Sequence, residues 1–163
     1  MKNWLIGLDR KILSLIREIG EEADLCNVPA YVVGGFVRDI VLKRRNLDLD
    51  VVIEGDAIGF AKALLKKKGG SLVVHKQFGT ATVILPQKLR VDLAAARKEE
   101  YPFPGALPVV ARGSIRDDLL RRDFTVNAMS VRINEGHFGE MRDDFSGLRD
   151  ISGKKIRVLH KKS

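Results

Sequence analysis

The 163-residue chain predicts an α/β or α+β domain built on a mixed sheet. Three observations carry that expectation. Apolar residues recur at helical spacing near the N-terminus, short β-branched runs alternate with further helical stretches, and two of those runs are joined by no more than Pro86-Gln87-Lys88. Helices between strands permit parallel crossovers, whereas so short a link demands an antiparallel hairpin, so one sheet should hold both pairings.

Taken in order, Leu5, Leu8, Ile12, Leu15, Ile16, Ile19 and Ala23 form the apolar stripe of an amphipathic helix, which Pro29 prevents from continuing. Tyr31 to Val33 read as a short strand, Gly34-Gly35 as a turn, Phe36 to Leu42 as a short helix and Leu47 to Ile53 as a second strand. Asp56 can cap a helix through Lys68, where Gly69 is the stop signal. Leu72 to His75, Thr80 to Leu85 and Leu89 to Ala94 follow as strands, the last two forming the hairpin. The stretch RKEEYPFPGALPVVARG, Arg97 to Gly113, reads as a loop whose length suggests function or mobility. Ser114, followed three residues later by Asp117, opens a helix through Arg121. A short element around Val126 to Ile133 comes next, and the tail reads as a turn-rich unit with one last strand.

The composition, 45% apolar and 31% charged, is that of an ordinary globular protein, and no apolar run approaches the ~20 residues of a membrane span. Cys26 is the sole cysteine, which excludes a disulfide framework or a cysteine-rich zinc site and suits a reducing cytoplasm. A net charge of +8 and a pI near 9.8 favour a polyanionic partner, nucleic acid foremost. Lysine clusters such as Lys66 to Lys68 at a helix end need no partner beyond the helix dipole and solvent. His75, His137 and His160 show no ligand spacing, and no Ser-His-Asp arrangement can be assembled.

Chemistry concentrates in three places. On a strand, residues i and i+2 share a face, so Asp48 and Asp50 are expected side by side, with Leu47, Leu49 and Val51 turned toward a core. Two such carboxylates repel, and a divalent metal would relieve the conflict; a solvent-facing strand edge is the plainer explanation. Asp92, the single acid in LRVDLAAA, needs a partner within a strand. That partner is either a shared metal or an arginine in an ion pair. Gly34-Gly35 can bring backbone amides close to a phosphate, or can be merely a tight turn braced by an Arg38–Asp39 pair. In LLRRDFTVNAM, residues Arg121, Arg122, Asp123 and Asn127 offer guanidinium forks and polar groups for a nucleotide; alternatively, Asp123 or Thr125 caps a helix.

Together these stretches resemble the class II nucleotidyltransferases: the CCA-adding enzymes that finish the 3′ end of tRNA and the related bacterial poly(A) polymerases. VVGGFVRDIVLKRRNLDLDVVIEGD is similar to the family's Gly-Gly-x-x-Arg-Asp…Asp-x-Asp signature, FGTATVILPQKLRVDLAAARKEEYPFPGALP to its hairpin and flexible loop, DDLLRRDFTVNAMSV to its ribose-side motif, and GLRDISGKKIRVLH to the end of its head domain. The resemblance spans roughly residues 12 to 160. It implies a polymerase-β-like mixed sheet flanked by helices, forming one head domain over 1–163 with a core of roughly 28–160. It further implies that Asp48 and Asp50 hold two magnesium ions (Mg2+). Gly34 and Gly35 would cradle the triphosphate, and Arg38 and Asp39 would shape the turn. Asp92 would orient or deprotonate the RNA 3′-hydroxyl, and Arg122, Asp123 and Asn127, with Arg121, would contact the ribose and phosphates of ATP or CTP. The expected partner is an RNA 3′ end, above all that of tRNA. The family's helical neck, which selects the base, would begin near His160, so a head fragment or a partner chain supplying the rest is expected. The rival class is a nucleotide- or RNA-binding module, inactive without that neck.

Overall fold

The computed structural model describes residues 2–100, 103 and 109–159. The tip of the Arg97 to Gly113 segment, apart from Phe103, and the stretch from His160 onward lie outside the described residues. Asp9 caps the first helix, α1 (Arg10–Leu25), its carboxylate accepting from the Lys11 amide. The helix starts later than the apolar spacing implies because Gly7, at φ 99°, breaks the run; Leu5 is buried from an irregular segment instead. β1 (Ala30–Val33) runs directly into α2 (Gly34–Val41), so the paired glycines are the first residues of a helix, not a separate turn. β2 (Leu49–Ile53) and α3 (Ala57–Lys68) follow, the latter capped by Asp56 and ended by Gly69 at φ 71°.

The strands β3 (Ser71–His75), β4 (Thr80–Ile84) and β5 (Arg90–Ala95) agree with the three expected, a 3₁₀ turn at Pro86–Lys88 closing the hairpin of the last two. The Arg97 to Gly113 segment is not a plain loop, because its two ends pair as β6 (Arg97–Glu100) and β7 (Val109–Arg112). A capping box between Ser114 and Asp117 opens α4 (Ile115–Leu120). β8 (Ser130–Arg132), β9 (Met141–Arg142) and α5 (Gly147–Ser152) complete the order. The last expected strand reduces to one isolated bridge between Phe124 and Val158. Arg157, just before it, is drawn to Asp150 of α5 by an ion pair of 2.9 Å.

Seven strands form one sheet in the order β3-β4-β5-β2-β1-β8-β9, parallel between β2 and β5 and antiparallel elsewhere. This is the mixed sheet the sequence predicts. Leu49, Val51, Ile53, Val91 and Leu93 point to one face, against Ile16 and Ile19 of α1 and Phe60 and Leu64 of α3. Each such side chain contributes about 1.5–3 kcal/mol by leaving water. Tyr31, Val33 and Val52 point to the other face, where Ile115 and Leu119 of α4 cover them. Asp50 and Asp92 share that second face by strand alternation and are half-buried. Among the described residues, no helix is long and apolar enough to cross a membrane.

Candidate active site

The parallel register sets Asp50 of β2 opposite Asp92 of β5, so the two carboxylates rise from neighbouring strands on the same face. Strand neighbours lie about 4.8 Å apart. Burial pushes the Asp50 carboxyl above the usual carboxylate range, and the charge of Asp92 pushes it further. The Arg122 guanidinium pulls it back, while Asp48 adds a smaller upward push. Asp48 therefore belongs to the electrostatic group but not to the strand: β2 begins at Leu49, and Asp48 is exposed. Asn46 explains the departure. Its carbonyl oxygen accepts from the Asp48 amide at 2.8 Å while its amide nitrogen donates to Asp39 at 2.7 Å, so this backbone is held by a side chain rather than by the sheet. For the same reason Leu47 does not enter the core and stays 52% exposed.

Of the two partners left open by the sequence, Asp92 shows the arginine, and it gains a hydroxyl besides. Arg90 pairs with it at 3.0 Å, and Thr82, opposite it on β4, donates its hydroxyl to the other oxygen. Among the described residues, no three His, Cys, Asp or Glu side chains are gathered as a ready metal cage. The donor set nevertheless suits a hard divalent cation, since like-charged carboxylates converge and one of them resists ionisation.

At the end of β1, Gly34 takes φ 69°. A methyl group there would come within 2.8 Å of Arg122 Nη1 and 3.9 Å of Asp50 Oδ2. The glycine thus lies where the acid of β2 and the arginine after α4 meet. Val33 offers no side-chain cap to α2, although the Gly34 amide donates to the Met129 carbonyl at 3.4 Å. Arg38 is engaged structurally: its guanidinium binds Asp39 at 3.0 and 3.2 Å and donates to Asn127 Oδ1 at 2.9 Å. That contact joins the two motifs, because it fixes Asn127 beside α2. Asp123 is exposed, and its carbonyl accepts from the Leu159 amide. Thr125 donates to Asp150, anchoring the 3₁₀ turn Thr125–Asn127 from behind.

Sequence reasoning missed Asp118, Thr82, Arg90 and Asn46. Asp118 is fully buried and binds Arg121 at 2.7 and 3.0 Å and Arg122 at 3.1 Å. Its i,i+3 and i,i+4 spacing to two arginines was the available signal. Two grooves, of about 440 and 450 Å³, lie elsewhere, and no acid of this group lines either one.

Residues 30–157 match the family model described as the poly A polymerase head domain. Over 153 residues the chain is 45% identical to an A-adding tRNA nucleotidyltransferase of Geobacter sulfurreducens, covering 94% of this chain and 17% of that protein. A CCA-adding enzyme structure in an apo form superposes with a TM-score of 0.90 at 46% identity, covering 94% of this chain and 36% of the other. A Thermotoga maritima CCA-adding enzyme complexed with tRNA gives 0.85 at 44% identity, covering 96% and 35%. The chain thus spans about a sixth of that relative and about a third of each of those structures.

Proposed function

The chain belongs to the poly A polymerase head domain family, and from that premise we propose that it is the catalytic head of a tRNA 3′-end nucleotidyltransferase. It transfers AMP or CMP from ATP or CTP to the terminal 3′-hydroxyl of the RNA. The observation that carries this reading is the placement of Asp50 opposite Asp92 across parallel strands, beside the side-chain-free Gly34 and the Arg122 guanidinium. The single head domain is taken as residues 1–163, and the choice between CTP and ATP is assigned to parts of the enzyme outside it.

Asp48 and Asp50 would hold the divalent metal, Mg2+ being the ion their hard oxygens suit best. Bound there, the metal neutralises charge that develops on the reacting phosphates. Gly34 lets the triphosphate approach the backbone, where the first amides of α2 donate to phosphate oxygens. Gly35 keeps that first turn open, and Arg122 supplies a fixed positive charge. Asp92 takes the proton from the 3′-hydroxyl, with Arg90 giving way to the RNA. The 3′ oxygen then bonds to the α-phosphorus as the bond to the β-phosphate oxygen breaks, and pyrophosphate leaves. Asn127, held by Arg38, and Asp123 face the ribose, and Arg121 braces the neighbouring Arg122 through their shared acid.

The test is incorporation of radiolabelled ATP or CTP onto tRNA lacking its 3′ end, with Mg2+. The chain should incorporate label, and the Asp48→Ala/Asp50→Ala double variant should not. Equal incorporation by both would overturn the assignment.

A further inference from the structure

We infer that Asp118 is a positioning residue, which acts through Arg122 to hold a guanidinium edge against Gly34 at the nucleotide site. The inference rests on the triphosphate reading given above and adds to it the group that fixes the site's positive charge. Asp118 lies on α4 and faces away from solvent with 0% exposure, its carboxylate bound by the two arginines that follow the helix. One of its oxygens, Oδ2, takes Arg122 Nη2 at 3.1 Å, and the other takes the Nε and Nη2 of Arg121.

The two arginines end in different places. Arg121 turns back, its remaining Nη1 3.9 Å from Glu99 on the β6–β7 ribbon. Arg122 turns toward the sheet, its Nη1 2.8 Å from where a Cβ of Gly34 would stand. Its Nε is buried and, among the described residues, has no hydrogen-bond partner. A guanidinium anchored at one corner by a buried carboxylate, with another corner over a glycine at a helix start, is oriented for an oxyanion before one arrives. Arginine has several rotatable bonds, and without the anchor Arg122 would lose this orientation or collapse onto Asp50. A neutral side chain at 118 would also remove the carboxylate that two half-buried guanidiniums share.

The test measures MgATP affinity by calorimetry on Asp118→Asn, Asp118→Glu and Arg122→Ala, each checked for folding by circular dichroism and thermal melting. Asp118→Asn should weaken MgATP binding about 10- to 100-fold, by analogy with the loss of an outer partner that orients a metal ligand. In a double-mutant cycle, Arg122→Ala should cost far less in the Asp118→Asn background than in the wild type. Asp118→Glu keeps the charge and should retain more affinity than the isosteric Asn. A merely structural Asp118 predicts the reverse order, because the longer Glu crowds a packed site. Wild-type affinity in folded Asp118→Asn, or independent effects of the two substitutions, would overturn the inference. Asp50→Ala runs alongside: if it alone abolishes binding, only the Asp118 role fails, whereas normal binding by Asp50→Ala would sink the triphosphate reading itself.

Discussion

At Gly34, one hydrogen in place of a methyl leaves room for the Arg122 guanidinium. A Cβ there would meet Arg122 at 2.8 Å, on a backbone at φ 69° that side chains rarely adopt. Gly34→Ala is expected to destabilise the fold by about 1–2 kcal/mol through the backbone alone. It should also weaken MgATP binding, measured by denaturant unfolding and calorimetry on the same protein. Asp50 carries a cost of the opposite kind. Its folded-state carboxyl is harder to ionise than in the unfolded chain, so the native state binds the extra proton and stability falls as pH rises through that window. Asp50→Asn should therefore raise the melting temperature of the ligand-free protein at neutral pH. The gain should vanish once pH drops below the ordinary carboxylate range. A melting temperature unchanged at neutral pH would show that the strain at this residue is absent.

Elements were most legible where a side chain both ends and faces something. Asp56 and Gly69 bracket α3 as the sequence implies, and the Asp56 carboxylate accepts from the Ile58 and Gly59 amides at 3.1 and 3.0 Å. Asp56→Ala should cost about 1 kcal/mol, read from the urea midpoint. Asp92 was legible as an anomaly in a strand, though its place opposite Asp50 depends on a parallel pairing between segments some forty residues apart, which local pattern does not specify. Alternation by itself puts Asp48 on the strand. Asn46 overrides that alternation by competing for the backbone, a local hydrogen bond that apolar periodicity does not register. The β6–β7 pairing was hidden by the prolines between its strands, which argue for a loop while saying nothing of its ends. Asp118 was one acid in a charged run, and its complete burial becomes visible only when α4 packs on the sheet.

Across the molecule, the site is assembled from pieces distant in sequence, and small polar staples hold them. Arg38 ties α2 to Asn127, and Asp150 ties the 3₁₀ turn before β8 to the tail through Thr125 and Arg157. The Thr125 hydroxyl, then Arg157, hold the Asp150 carboxyl below its usual range. An acid with a depressed folded value stabilises the protein above the unfolded value, and that contribution is lost as pH falls. Asp150→Asn should lower the urea midpoint at pH 7, with the difference from wild type shrinking in acid. A constant difference across pH would mean that the staple acts by packing alone.

The acid pair, the bare glycine and the oriented arginine converge on one claim: this face binds a nucleoside triphosphate together with a divalent ion. Calorimetric titration of ATP into the chain and into Asp50→Ala, with and without Mg2+, tests it most directly. Binding that requires Mg2+ and disappears in a folded Asp50→Ala protein is the predicted result. Binding that is indifferent to Mg2+, or that survives the substitution at full affinity, would contradict it.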